Sequence, residues 1–394
     1  MEKKKILISF IDHRETDGRV FYRELRTIGH FFTESLSISI VSIVKSNDCA
    51  SFSVEEDDIV YEGNPIHIYR IIRPAGVSKA EKVKIQFQLH REIRKLLKMV
   101  NPDFYFIADV REVNDAVRCY WKTDTVLIYD SHEDYVRQAL DYGSGIKKYY
   151  DGSIFYLTEL INIRKFDAVF CTDEHLLGKY SQPRYHAKKV HLLRNYPYYD
   201  ARFSEFTREF AYHDTLKMVY IGGVDKYRGI IESVEYIQQF NQETEGKRIT
   251  LDVYGNDTEI AKAVSTASNV FFHDWIDQSV LMEKLKTEYD VGLCLWQPIP
   301  KFFLNLPIKN FDYMGAGLPF ITSNFGNLKI HAEKSRAGFC IEPTSYEEFK
   351  QAALKLFDPN IRKKLSDNGL RYVKEEASFQ TEAKPLIELI QERI

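Results

Sequence analysis

The sequence predicts an α/β protein of two doubly wound, Rossmann-like domains facing each other across a cleft. Short, near-continuous apolar runs alternate with amphipathic stretches from end to end, the pattern of parallel strands covered by helices on both faces. The runs fall into two series separated by residues 194–214, where a proline, many aromatics and many charges break the rhythm. The length of 394 residues, 44% of them hydrophobic, exceeds one ordinary core and suits two domains of roughly 150–200 residues.

The first series reads KILISFI, SISIVSIV, DFYFIAD, TVLIYDSH, AVFCTD and KVHLLRN. The second reads KMVYIGG, ITLDVYG, NVFFHDW, YDVGLCLW, LPFITS and GFCIEP. These runs place an N-terminal domain at 1–196, a linker at 197–213 and a C-terminal domain at 214–375. The last stretch, 376–394, has helical periodicity and is expected to pack back across the domain junction. Many strands end in polar or glycine-bearing segments, such as FIDHRETDGR, YDSHED, YIGGVDKYRG and VYGND. Doubly wound sheets bind ligands outside the carboxyl ends of their strands, so these segments are the places to look for chemistry.

Composition excludes several classes. Charged residues are 28% of the chain and the formal net charge is -3, so there is no global basic field for nucleic acid. Cys49, Cys119, Cys171, Cys294 and Cys340 are scattered without CxxC spacing, which argues against a disulfide framework or a zinc site and for a reducing cytosol. The apolar stretch Ile6–Ile11 is too short for a signal peptide and meets Asp12, His13 and Arg14 at once. No apolar run approaches bilayer length, so the expected location is the cytoplasm, with any membrane contact made from the surface. Asp-x-Asp, GxGxxG after the first strand, Walker A and GxSxG are all absent, and no metal-ligand cluster stands out, so neither a metal nor a cofactor is expected.

The most informative stretch is PKFFLNLPIKNFDYMGAGLPFITS, from Pro300 to Ser323. Pro307 suits the first turn of a helix, where its missing amide hydrogen is harmless. Lys309 and Asp312, three residues apart, then share one helix face, and Gly315 and Gly317 end the helix before a buried strand. A helix start beside the carboxyl edge of a sheet can receive phosphates, with Asp312 free to accept from ribose hydroxyls. The plainer alternative is a surface Lys–Asp pair. In the N-terminal half, Asp17, Gly18 and Arg19 fit a loop opening onto a helix, either facing a cleft or simply capping the helix. His132 follows Asp130 at a strand end in YDSHED, suited to hydrogen bonding or proton exchange near neutral pH. Glu133 and Asp134 also fit acidic positions at the start of the next helix.

The Pro300–Ser323 stretch, followed by HAEKSRAGFCIEPTSYEEFKQAALKLF, resembles the C-terminal domain of the family 4 retaining glycosyltransferases, the group 1 transferases of GT-B fold. That resemblance implies a nucleotide-sugar donor bound by the C-terminal half, with Asp312 on the ribose. YIGGVDKYRGIIESVEYI resembles the family's strand–loop–helix at the donor pyrophosphate, which gives Gly222, Gly223 and Arg228 that role. RITLDVYGN with Gly255, and NVFFHDWIDQSVLMEKL, resemble the neighbouring strand and the segment beside the base. Two positions depart from the pattern: Leu304 stands where many members have a glutamate, and Gly223 where they have a basic residue. Asn305, the 302–306 backbone and Lys309 are the substitutes at hand. Asp17, Gly18, Arg19, His132 and Glu133 are similar to the family's acceptor-side segments.

Two basic stretches, Lys79–Val100 and GIKKYYDGSIFYL, interleave cations with apolar and aromatic residues. They fit either a solvated helix face packed on its own sheet or an anionic membrane surface. Together these features give the expectation of a metal-independent glycosyltransferase with His132, Arg228 and Lys309 as its catalytic groups. It would move a sugar, with retention, from a nucleotide-diphosphate sugar to a glycan or lipid-linked acceptor in surface polysaccharide or glycan assembly. It would be cytoplasmic, peripheral on the inner membrane face. The alternatives are a nucleotide-sugar epimerase of the same fold and a catalytically silent nucleotide-sugar-binding subunit.

Overall fold

A computed structural model describes residues 3–10, 20–75, 78–199, 208–255, 259–260, 267–306 and 308–394. The chain divides into two units, Met1–Arg194 together with Glu382–Ile394, and Asn195–Thr381.

The first unit is built on eight strands: β1 (Lys4–Phe10), β2 (Leu36–Ser46), β3 (Ser53–Tyr61), β4 (Asn64–Pro74), β5 (Phe104–Ile107), β6 (Val126–Ser131), β7 (Ala168–Cys171) and β8 (Val190–Leu192). Their order is β3-β4-β2-β1-β5-β6-β7-β8. The inner strands are buried along their length because helices cover both faces, which is why they read as unbroken apolar runs. The β3–β4 hairpin does not appear among the sequence runs. β3 is antiparallel to β4 and almost wholly exposed, with Glu55, Glu56, Asp57 and Asp58 along it. Charge of this kind keeps an edge strand from pairing with another chain. Its available signal was the turn, where Glu62 and Gly63 both take positive φ, 48° and 81°.

Helices α1 (Arg26–Phe32), α2 (Lys79–Val100), α3 (Val113–Tyr120), α4 (Tyr135–Tyr142), α5 (Lys147–Asn162) and α6 (Glu174–Tyr180) flank this sheet. α2 begins with a capping box, Ser78 accepting from the Glu81 amide and Glu81 from the Ser78 amide. It ends at left-handed Asn101, just before Pro102. Its apolar stripe, including Leu89, Ile93 and Leu97, is buried in the core with Leu7, Tyr105 and Leu127. The terminal helix Lys384–Gln391 belongs to this unit too, burying Leu386, Ile387, Leu389 and Ile390. Arg194 reaches Glu382 at 2.6 Å nearby.

The second unit has six parallel strands: β9 (Thr215–Ile221), β10 (Arg248–Tyr254), β11 (Val270–His273), β12 (Val291–Cys294), β13 (Phe320–Ser323) and β14 (Gly338–Ile341). Their order, β11-β10-β9-β12-β13-β14, is doubly wound, and it reverses between β9 and β12. A crevice opens at the carboxyl ends of strands at such a switch point. The elements around it are α7 (Ile230–Glu243), α8 (Gln278–Thr287), α9 (Pro300–Leu304) and α10 (Ile308–Gly315). The described parts of the expected linker carry no regular structure, and Arg208 there donates to the carbonyls of Leu285 and Lys286 at 3.0 Å. All five cysteines are free thiols. No helix among the described residues is long and apolar enough to cross a membrane.

Candidate active site

β9 ends in buried Ile221, and the chain turns at Gly222, whose φ of +111° favours glycine. The Asp225 carboxylate then organises the loop, accepting from the Tyr227 amide at 2.8 Å and from Arg228 Nε at 3.2 Å. Gly229, at φ +71°, caps α7, and a Cβ there would lie 1.7 Å from the Leu295 carbonyl oxygen. The loop is therefore pressed against the end of β12, and the Gln297 amide bonds the Tyr227 carbonyl at 2.9 Å. Thus the two loops at the switch point are locked together, one bringing Arg228 and the other Trp296.

Arg228 stacks its guanidinium on aromatic faces, 4.9 Å from the Trp296 ring centre and 5.4 Å from that of Phe302. Lys309, in the first turn of α10, places Nζ 3.5 Å from the Tyr220 ring centre and 5.5 Å from Trp296. The two cations thus share one indole. Lys309 is buried, and Nζ has no hydrogen-bond partner among the described residues. Burial pushes its ammonium down to about 7, and Arg228 adds repulsion in the same direction. The surface Lys–Asp pair considered above is not what forms, since Lys309 and Asp312 are both buried. Helix α10 is held rigidly: Asn310 donates to Thr322 Oγ1 at 3.0 Å, and Gly317, at φ +63°, ends it. Gly292 in β12 makes room for Tyr313, whose ring would be 2.3 Å from a Cβ at that position.

The remaining sites expected in this unit fall around the same crevice. Gly255 abuts Gly222, so a Cβ on Gly255 would be 2.4 Å from the Gly222 carbonyl oxygen. A Cβ on Gly223 would meet nothing within 4 Å, so open space stands where the resemblance predicts a basic side chain. Asn305 follows α9 in extended backbone. Pro307 lies outside the described residues. Trp296, Tyr220 and Phe302 were not among the expected site residues. For Tyr220 and Trp296 the signal was an aromatic at or just beyond a strand end, as in GLCLW, which a buried core aromatic shares; Phe302 lies inside α9.

In the first unit, His132 sits at the end of β6 with Nε2 2.7 Å from Asp130 Oδ2 and 3.7 Å from Glu24 Oε1. An ionised carboxylate only accepts, so with Asp130 ionised the imidazole donates through Nε2 in the shorter contact. Glu24, Asp130 and His132 are mutually within 4.8 Å, close enough to share a metal ion. Glu24 was not singled out in the sequence, because only folding brings it to His132. Glu133 accepts from Gln138, while Asp134 caps α4 and pairs with Lys179 at 2.9 Å. Asp17, Gly18 and Arg19 lie outside the described residues.

Residues 215–358 match the family Glycosyl transferases group 1. Among curated proteins, none matches this sequence. Among solved structures, the chain is similar to a sucrose-phosphate synthase from Thermosynechococcus elongatus, with TM-score 0.66, 12% identity and 99% of each chain covered. It is also similar to a trehalose-6-phosphate structure from E. coli bound with UDP-2-fluoro glucose, with TM-score 0.66, 8% identity and 99% of each chain covered. A UDP-forming α,α-trehalose-phosphate synthase from Burkholderia xenovorans gives TM-score 0.67 at 10% identity, again over 99% of each chain. At such identities the structural likeness speaks for the fold, and the fold is GT-B. Within the second unit, then, residues 215–358 are similar to the group 1 glycosyl transferases, and the chain as a whole has the GT-B fold.

Proposed function

We propose that this protein transfers a sugar from a nucleotide-diphosphate sugar to an acceptor hydroxyl, with its second unit holding the donor. The observation that carries the reading is Lys309: a buried ammonium with no hydrogen-bond partner among the described residues, sharing the Trp296 ring with Arg228 at the switch point of a doubly wound sheet. Burying an uncompensated cation is unfavourable by several kcal/mol, and such groups concentrate where a ligand completes them. The fitting ligand is an anion with charge on adjacent groups, the pyrophosphate of a nucleotide sugar. As the glycosidic bond to the diphosphate breaks, negative charge grows on the leaving oxygens, and two fixed cations stabilise it. Asp312, one turn beyond Lys309, is assigned to the ribose.

The finer features are read from the sequence, retention from its resemblance, the membrane face from its basic stretches and metal independence from its lack of Asp-x-Asp, and all are part of the proposal. They are retention, a glycan or lipid-linked acceptor in surface polysaccharide or glycan assembly, a cytoplasmic setting at the inner membrane face, and no divalent metal on the donor. His132 is assigned to the acceptor or donor sugar. UDP-sugars are the first donors to try, because two of the similar structures are named for UDP compounds.

A thermal-shift screen of nucleoside diphosphates and their sugars, followed by turnover with the best donor, tests the reading. At a ligand concentration of about 100 Kd, binding adds about 2.7 kcal/mol to the native state. A flat melting temperature across all nucleotides would refute the donor site. Open space at Gly223 favours the silent-subunit alternative more than the epimerase, and binding without turnover across acceptors would select it.

A further inference from the structure

Helix α5 packs Phe155 and Leu160 inward yet also carries an apolar row on its outer face, which packing on its own domain does not use. Its buried positions include Gly152, Thr158, Glu159 and Asn162, and Asn162 is tied down by a hydrogen bond to Asn114 at 2.9 Å. Its outward positions are Tyr150, Ile154, Leu157 and Ile161, one stripe at i, i+4, i+7 and i+11. The stripe is open, with Tyr150 65% and Leu157 50% exposed, and Ile146 just before the helix is 88% exposed. Trp121, 51% exposed, meets the far end, where Lys165 lies 4.8 Å from its ring centre and Lys122 5.3 Å. Water-facing rows of this size mark an interaction surface.

Charge identifies the partner. Lys147 and Lys148 flank one end, and Arg164, Lys165 and Lys122 the other, against the carboxylates Asp124 and Asp151. Asp151 is itself paired with Lys147. Aliphatic residues in the middle, aromatics at both ends and a cationic border describe a surface that dips into the headgroup region of an anionic bilayer. A second copy of the chain fits less well, because a two-fold pairing of this helix would set the same cations against one another.

We propose that α5, with Ile146 and Trp121, is the face by which this protein docks on an anionic lipid surface. The other basic helix, α2, commits its main apolar stripe to the core but leaves Val83, Phe87 and Met99 exposed, so it is the competing face that the test separates from α5. The proposal narrows the inner-membrane setting suggested above to one face. It needs no donor, so it stands or falls independently of the sugar-transfer reading.

The test is flotation of the full-length protein with phosphatidylcholine vesicles, with and without phosphatidylglycerol. The parent floats with the anionic vesicles, and high salt releases it. Ile154→Ser with Leu157→Ser weakens association at least about tenfold, and so does Lys148→Glu with Lys165→Glu. Phe87→Ser on α2 leaves it unchanged. All the altered side chains are solvent-facing or half-buried, and parental melting temperatures confirm folding of the variants. Equal flotation with neutral vesicles, or parental flotation of the Ile154/Leu157 variant, overturns the proposal. So does a dimer in sedimentation that this variant disperses, with no vesicle binding by the parent.

Discussion

Lys309 carries the sharpest expectations at the scale of single residues. Its ammonium titrates at about 7 in the folded protein, whereas an unfolded lysine holds its proton to about 10.4. Between those values the unfolded chain binds more protons, so this group makes stability rise with pH from about 7 upward. Lys309→Met removes that slope and raises the melting temperature of the ligand-free protein at pH 6, while nucleoside-diphosphate binding falls at least about tenfold. A lysine with a purely structural role would lose stability instead. A bound diphosphate restores the proton, so affinity weakens above pH 7 by up to about tenfold per unit. Calorimetry in buffers of different ionisation enthalpy detects the proton taken up. Arg228→Ala, which removes a guanidinium able to bond phosphate bidentately, weakens diphosphate affinity about ten- to a hundredfold and leaves the nucleoside nearly untouched. Asp312→Ala weakens both, because ribose is common to both. A nucleoside effect in Arg228→Ala as large as the diphosphate effect would remove the loop from the pyrophosphate.

At the scale of elements, the site is a product of two strand–loop–helix units clamped side by side. Gly229 is the clamp, with positive φ and no space for a Cβ against Leu295. Gly229→Ala destabilises the protein by about 1–3 kcal/mol and also weakens diphosphate binding, as Arg228 moves with the loop. Gly223→Ala, which points into open space, is near neutral in both measurements. Denaturant melts and nucleotide titrations of this pair check whether loop position matters. The strand series was legible in the sequence because buried parallel strands are continuous apolar words. The β3–β4 hairpin was not, since an exposed acidic edge strand looks like loop. Lys309 and Asp312 were legible through fixed spacing within one segment, and Arg228 through the family resemblance of another. Trp296 and Glu24 were not, because their partners lie far along the chain.

At the scale of the molecule, the terminal residues 382–394 belong with the N-terminal unit. Deleting them exposes apolar surface at Leu386, Ile387, Leu389 and Ile390, with loss on the order of several kcal/mol from that unit. Differential scanning calorimetry should show the loss in one transition, while nucleotide still raises the other; a nucleotide response lost with the deletion would contradict that division. Chelation is a second whole-protein test: on the proposed scheme, in which cationic side chains serve the leaving group, transfer should survive EDTA. Activity that vanishes and returns only with Mn²⁺ would turn attention to Glu24, Asp130 and His132. The sequence by itself determined the fold class, the two series of strands and the positions of the basic and acidic residues proposed to meet the donor, because periodicity and short-range spacing are written along the chain. Tertiary structure alone decided that Arg228 and Lys309 share one indole, that the buried Lys309 ammonium has no hydrogen-bond partner among the described residues and that α5 turns an apolar stripe outward. Each of these depends on which distant surfaces meet, and burial and charge pairing are properties of the packed chain rather than of any one segment.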